Sequence, residues 1–497
     1  MEGIVNRFNL VDEPWIPVAD YGLASLNQIF YDTSIRALGG NPVQKIAITK
    51  LLLAIAQAAF TPEDNDEWKR IGPEGMAEKS RSYLHGKKGL FFLYGDKPFL
   101  QMPSISNASI QEYGAVQLYT ATGNTTVLNQ SQVDRKLTDA EKAQLLIFLM
   151  GFAPGGKKTD NSVVLSKNYT GKSNDNGKPS TGKPGPALGF SGYLHTLLTG
   201  KNIIETLWLN LFTQEQISDI RFFSSGIGVP PWEKMPEGED CEIANNLKSC
   251  YMGRLVPVSR FVLLKDSGLH YSEGIAHPTH KEGGFDLTIA VDSSTKPKVL
   301  WVDPEKRPWR QIVSLLSFFS SDNRNNFDCR QLRFGLKRAR EVVSVFGIWS
   351  GGINVSSNAG EQYATGKNDF VESEILLHSD SLGDNWFYKL KEEMTALDDL
   401  SRTVYASIMG YYRQLKADGK AISALGTNLY WQLCEQKFQE LLDACYDSTG
   451  IAAKKLRLEF VKFVNKTYNT CCQFGTARQL DAWASNRPFI NKYLNDK

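Results

Sequence analysis

Residues 349–374 read W-S-G-G-I-N-V-S-S-N-A-G-E-Q-Y-A-T-G-K-N-D-F-V-E-S-E, and they divide the chain into two kinds of text. Before them, apolar residues recur with both the helical and the strand period; after them the patterning is almost purely helical. The stretch itself holds four glycines, three asparagines and four serines, with almost no apolar periodicity. Glycine reaches φ > 0 and lets a backbone come close to a ligand. Asn, Ser and Gln supply short hydrogen-bonding groups suited to base edges or phosphates. Composition leaves two readings open, a linker between domains or a recognition surface.

The helical text begins near Ser381. Four segments, roughly 385–417, 424–447, 451–472 and 477–494, are separated by short breaks, most of them Gly-bearing, as an up-down bundle requires. Leu429, Leu433, Phe438 and Leu441 keep helical spacing. The expected fold class is α+β: a large mixed α/β domain over residues 1–375 and a four-helix bundle over 376–497. A chain of 497 residues is too long for one core. With 42% hydrophobic and 22% charged residues it has the composition of an ordinary globular protein. A formal charge of +2 confines any nucleic-acid surface to a local patch. No apolar run approaches the roughly 18 residues of a membrane span, and the start, M-E-G-I-V-N-R-F, has no apolar signal core. A cytoplasmic protein without a membrane partner is expected. Seven cysteines without a C-x-x-C pair read as free thiols rather than disulfides or a zinc site.

Toward the N-terminus, F-N-L-V-D-E-P-W-I-P-V (8–18) reads as strand, Pro-broken turn and strand, with Phe8, Leu10, Trp15 and Ile16 buried. Residues 43–60 repeat apolar positions at helical spacing, and 89–101 read as a short strand. The capping box T-D-A-E (138–141) opens a helix to about Phe152. Between Gly155 and Pro184 stand six lysines (157, 158, 167, 172, 178, 183) against two aspartates, either a cationic loop that follows a phosphate backbone or a solvated linker. The frame G-K-P-S-T-G-K-P within it ends in proline and lacks the magnesium-binding Ser/Thr, so it is no P-loop. Residues 193–212 read as an amphipathic helix with a glycine break, and R-F-V-L-L-K-D-S-G-L-H-Y (260–271) as a hairpin. The run 323–340 carries six basic residues and one acid, a basic patch or a solvated helix face.

Catalytic chemistry is sparse. His277 and His280, with His270 and Glu282 nearby, would need further ligands to hold a metal. Asp286, Asp292 and Lys296 resemble a degenerate nuclease core without its acid-x-lysine element. No nucleophile elbow, Rossmann glycines or Cys–His signature occurs. Together these absences favour a binding protein over an enzyme.

F-N-L-V-D-E-P-W-I-P-V resembles the N-terminal signature of the large-subunit (CasA) family of type I-E CRISPR Cascade complexes. D-K-P-F-L-Q (96–101), A-P-G-G-K-K (153–158), G-K-N-I-I-E-T-L-W-L-N-L (200–211) and G-G-I-N-V-S-S-N-A-G-E-Q (351–362) follow in the family's order, ahead of a helical bundle. The resemblance implies a non-catalytic subunit without cofactor or metal. Its implied partners are other Cascade subunits, a CRISPR guide RNA, double-stranded target DNA and a helicase-nuclease effector. The implied role is antiviral defence: recognition of the PAM, a short duplex element, through the minor groove, help with strand separation and R-loop formation, and recruitment of the nuclease. The resemblance places DNA contacts at Gly155, Gly156 and Lys157 of a glycine loop and at Lys265 on the hairpin. It also implies a strand-parting wedge with Gln362 at its tip and Asn358 and Gly360 in support. Val127, Leu128, Asn129 and Gln130 fall where the family docks the guide RNA and a neighbouring subunit. With recognition implied for 354–362, two other classes stay open: a structural scaffold without its own DNA readout, and an unrecognised nuclease.

Overall fold

The computed structural model describes residues 7–117, 136–156, 159, 183–284, 286–292, 296–319, 327–358, 361–364, 369–447 and 449–494. The chain forms two compact units, one of Met1–Trp309 and Asn326–Glu374, the other of Arg310–Asn325 and Ile375–Lys497. The first is mixed helix and sheet and the second helical, so the α+β class holds. The sequence reading places residues 310–325 in the mixed domain; they cluster instead with the helical unit. Among the described residues no helix is long and apolar enough to cross a membrane.

The first unit opens with strand β1 (Arg7–Asn9) and the hairpin of β2 (Ile16–Val18) and β3 (Gly22–Ala24). Leu10, Trp15 and Ile16 are buried as expected. Phe8 is only half-buried, because its backbone turns to φ +57 and carries the ring out of the strand's alternation. Helix α1 (Pro42–Ala59) starts at an Asn41/Gln44 capping box with proline at its first position. Apolar or small residues cover nearly its whole circumference, so it must be surrounded. It packs against α2 (Asn65–Gly86), which kinks at Gly72-Pro73, and against α3 (Asp139–Gly151), which begins at the expected Thr138/Glu141 capping box.

Residues 193–212 depart from the helical reading. His195–Thr199 is a buried strand, β4, and only Ile203–Asn210 is helix, α4, opened by the Asn202 side chain. Gly200 marks the change; the H-T-L-L-T run before it is inside the sheet on both faces, which burial signals as well as a helix would. Trp208 of α4 stacks on Trp68 of α2 at 4.1 Å, and each indole N–H donates to the other's carbonyl oxygen. The predicted hairpin forms from β5 (Arg260–Leu264) and β6 (Leu269–Glu273). Helix α5 (Arg330–Val342) leads into β7 (Val345–Ile353), which pairs antiparallel with β4. Next come a small hairpin, β8 (Ser356–Asn358) and β9 (Glu361–Tyr363), and then β10 (Phe370–His378) on the other side of β7. The stretch 349–374 is therefore largely strand and hairpin rather than a loop. Its glycines serve close packing: a Cβ at Gly352 would stand 2.6 Å from the Tyr193 carbonyl oxygen.

In the second unit, α6 (Asp384–Gln414), α7 (Lys420–Glu435), α8 (Phe438–Ala444), α9 (Ile451–Cys471) and α10 (Ala477–Ser485) replace four continuous segments. The second segment breaks at Gln436-Lys437, and the fourth ends before Pro488, which cannot continue a helix.

Lys50 is the one basic side chain of α1 that is fully enclosed, 2% exposed, and its ammonium meets the buried carboxylate of Asp286 and the Arg254 carbonyl oxygen. Asp286 also accepts from the Thr288 amide and hydroxyl, and that hydroxyl lies 2.7 Å from His195 Nδ1. Burial alone would raise the Asp286 pKa, but Lys50 and these hydrogen bonds hold it down to about 2. Burial, assisted by the Lys50 charge, lowers His195 to about 4, so it is neutral at pH 7.

Replacing Lys50 with Met leaves a buried unpaired carboxylate and should lower the unfolding free energy by about 3–5 kcal/mol, with much of this regained in Lys50→Met/Asp286→Leu; guanidinium unfolding curves measure both. An unfolded histidine takes up its proton near pH 6.5, whereas folded His195 resists until about pH 4, so stability falls as the pH drops through this window. His195 alone should remove about 2 kcal/mol between pH 7 and pH 5, and His195→Gln should flatten that slope. The Asp286 contribution persists through this range and is lost only below about pH 4.

Candidate nucleic-acid interface

Helix α3 ends with the Phe152 amide donating to the Phe148 carbonyl oxygen, and the chain runs out through Ala153-Pro154-Gly155-Gly156. Pro154 has no amide hydrogen to extend the helix, and Gly156 turns the backbone at φ +73, where a Cβ is disfavoured. A second segment lies beside this turn: the Gly185 amide donates to Ala153 O at 2.8 Å and the Ala187 amide to Gly151 O at 3.1 Å. A Cβ on Gly185 would collide with the Gly151 carbonyl oxygen, so only glycine allows this approach.

Gln362 of β9 locks the turn. Its amide donates to Gly155 O at 2.9 Å, and its Oε1 accepts from the Gly155 amide at 2.7 Å. Its Nε2 donates to Gly189 O at 2.9 Å and to Phe190 O at 2.7 Å. With 3% exposure the carboxamide is inside the protein and its hydrogen-bonding capacity is used internally. The expectation that Gln362 is an exposed wedge tip is corrected: on a three-residue strand alternate side chains face opposite ways, and this one faces in. The last pair of this hairpin among the described residues is Asn358–Glu361.

Arg260, at the first position of β5, completes the clamp. Its Nη2 donates to Pro154 O at 2.9 Å and to Lys183 O at 2.8 Å, its Nη1 to Ser259 O, and its Nε to the Tyr271 hydroxyl. The sequence reading missed it, although a lone arginine opening the apolar run F-V-L-L was a visible signal. Lys265 lies at the other end of β5, exposed in the hairpin turn, its amide donating to Gly268 O and its carbonyl accepting from the Tyr113 hydroxyl. It stands five positions along from Arg260, about 16 Å of rise. The structure thus gathers Gly155, Gly156 and Gln362 and places Lys265 apart, in the turn of the β5–β6 hairpin that Arg260 opens. Lys157, Gly360, the Asn358 side chain and the segment Val127, Leu128, Asn129 and Gln130 lie outside the described residues.

The histidines are separate. His270 Nδ1 pairs with Ala108 O, His277 Nε2 with Pro257 O and His280 Nδ1 with the Tyr193 hydroxyl, while Glu282 caps Thr279. Among the described residues no group of three or more His, Cys, Asp or Glu is placed to hold a metal ion. Asp286 is engaged by Lys50, and Asp292 pairs in the strand Val291–Asp292. The basic run divides: Arg333, Lys337 and Arg340 are exposed on α5, whereas Arg338 is buried over the Trp68 ring.

The model of the family CRISPR-associated protein Cse1 matches residues 9–469. The CRISPR-associated protein CasA/Cse1 of Thermus thermophilus is 28% identical over 249 residues, 47% of this chain and 43% of that relative, so the chain spans less than half the length of the curated relative it matches. The crystal structure of Thermobifida fusca Cse1 superposes with TM-score 0.75 at 19% identity, covering 98% of both chains. The crystal structure of Thermus thermophilus CasA gives 0.71 at 19% identity over 98% of this chain and 99% of that one. A chain of a CRISPR RNA-guided surveillance complex gives 0.67 at 14% identity, over 97% and 98%. At these identities the superpositions speak for a shared fold.

Removing the Gln362 carboxamide orphans one buried donor and two acceptors. Gln362→Ala should therefore cost about 1–3 kcal/mol in unfolding free energy. Exposed Lys265→Ala should stay within about 0.5 kcal/mol, both read from denaturant titrations of the full chain.

Proposed function

The chain belongs to the CRISPR-associated Cse1 family, and from that premise we propose that it is the non-catalytic large subunit of a type I-E Cascade complex. In this reading it recognises the PAM of double-stranded target DNA through the minor groove, assists strand separation, and recruits a helicase-nuclease. Its other partners are the remaining subunits and the guide RNA.

The observation that carries the reading is the contact between the glycine turn and the small hairpin, 207 residues apart in sequence and joined in both directions at Gly155 and Gln362. The turn offers backbone that can approach a groove; entry into a duplex is assigned to residues 358–360 on the resemblance, with 359 and 360 outside the described residues. Gln362 then acts as the brace that fixes the loop against the turn, and the parting of strands falls to residues 358–360. Lys265 supplies a cation in the turn of the β5–β6 hairpin, whose other end Arg260 ties to the glycine turn; its contribution is electrostatic and positional. The guide-docking role of 127–130 stays part of the proposal on the resemblance alone. The internal engagement of Gln362 favours a scaffold reading at that one residue, which gives the alternative a concrete test.

The test is PAM-dependent binding by the reconstituted guide complex. Lys265→Ala should weaken binding to a matched target and lower the magnitude of the salt slope by about one, the signature of one lost phosphate-proximal cation. A scaffold without its own readout predicts equal affinity for matched and scrambled PAM, and no effect of Lys265→Ala.

A further inference from the structure

A cavity of about 240 Å³ lies directly behind the clamp. It shares residues with it: Gly189 and Phe190, whose carbonyls Gln362 holds, and Lys183 and Arg260. Its size falls below the roughly 300–1,000 Å³ of sites for drug-sized ligands, and suits a single heterocycle.

The walls combine flat apolar surface with both senses of hydrogen bonding. Tyr193, Ile275, Ile289 and Val299 supply the apolar part. Tyr193 is held rigid by stacking on Trp301 at 4.8 Å and by its hydroxyl's contact with His280. His277 is 8% exposed; its Nε2 hydrogen goes to Pro257 O at 2.7 Å, which leaves Nδ1 as a bare acceptor, and Nδ1 has no partner among the described residues. Burial, with Arg254 next in order, lowers its pKa to about 3, so this lone pair is retained at neutral pH. Arg254, 3% exposed, lies over the Phe222 ring; its guanidinium makes long 3.4 Å contacts to Pro278 O, and its Nε has no partner among the described residues. Asp286 and Glu273 line the same walls, which disfavours a phosphate inside. Four lining residues are exposed: Phe190, at 63%, Thr279, and the cations of Lys183 and Lys281. A neutral heterocycle within and a phosphate at the mouth match this distribution.

We propose that the cavity receives one unpaired nucleotide of the separated target DNA: the base enters between Phe190 and the Arg254–His277 wall, and its phosphate rests against Lys183 and Lys281. The proposal rests on the DNA-recognition reading above. A captured base would oppose reannealing next to the hairpin loop, so strand separation is held by occupancy as well as by insertion. Unstacking costs a few kcal/mol, which stacking and hydrogen bonding in a fitted pocket can offset.

The test places 2-aminopurine at successive positions of each strand beside the PAM, with wild-type complex on matched target. One position should be quenched relative to its neighbours. Phe190→Ala, a change at an exposed side chain, should restore its fluorescence and weaken matched-target binding by about fivefold or more, the low end for one base–aromatic stack. Lys281→Ala should weaken binding at low salt more than at high salt. If every position fluoresces alike, or Phe190→Ala leaves the pattern unchanged, while PAM dependence persists, the cavity proposal fails and the recognition reading stands. Loss of PAM dependence in wild type removes both. Saturable binding of free thymidine or adenosine monophosphate by the isolated chain, with no quenched position in the DNA, assigns the cavity to a soluble ligand and also overturns the proposal.

Discussion

The buried pair of Lys50 and Asp286 is the constraint around which the first unit is arranged. Helix α1 is apolar or small on almost every face, so elements must cover it on all sides, and its single enclosed ammonium must be answered from within. The answer comes from a segment 236 residues away, and it fixes more than a charge. Asp286 orders Thr288, Thr288 meets His195, and His195 begins the strand that pairs with Val345–Ile353. The strand's continuation reaches the small hairpin and, through Gln362, the glycine turn. A hydrophobic pair of equal volume would pack as well or better; the ionic pair has the merit that only one alignment satisfies it.

The interface built on this frame is mostly backbone. Gln362 and Arg260, both 3% exposed, bind carbonyls and one amide rather than presenting their heads to solvent. Such side chains set the shape of a turn by saturating it, and the surface they leave for a partner is peptide, glycine and the occasional exposed cation. On the proposed function, a surface of this kind would read a degenerate groove by shape more readily than by a donor–acceptor code.

Capping boxes made much of the fold legible: Thr138/Glu141 marked α3, and the 43–60 periodicity gave α1 within one residue at each end. The hairpin at 260–271 was legible from its turn residues. His195–Thr199 was not, since a strand buried on both faces carries the same apolar density as a buried helix. The run 349–374 was misread because its glycines suggested a loop, whereas Gly351 and Gly352 stand in a strand packed too closely for side chains. At the candidate site, the turn at 153–156 was legible from its Pro-Gly-Gly composition. The inward face of Gln362 was not, because a glutamine in a polar hairpin carries no local sign of which way it points, and Arg260 was passed over because the two carbonyls by which it holds the turn, Pro154 O and Lys183 O, are distant in sequence.

The division of the chain has a consequence for its synthesis. Residues 310–325 belong with the helical unit, yet they leave the ribosome before β7 and the hairpin that finish the mixed unit. Arg310 lies over the Trp431 ring at 3.8 Å and the Phe319 ring lies tilted against Phe387 at 6.1 Å, so this early piece waits for partners made more than sixty residues later. Until then Ile312, Leu315 and Leu316 have no core to enter. The two units cannot mature strictly one after the other, and a cut at residue 374 would strand this excursion on the wrong fragment. A nascent chain of this order gains from a holding chaperone, or from early assembly, during the interval in which the excursion stands uncovered.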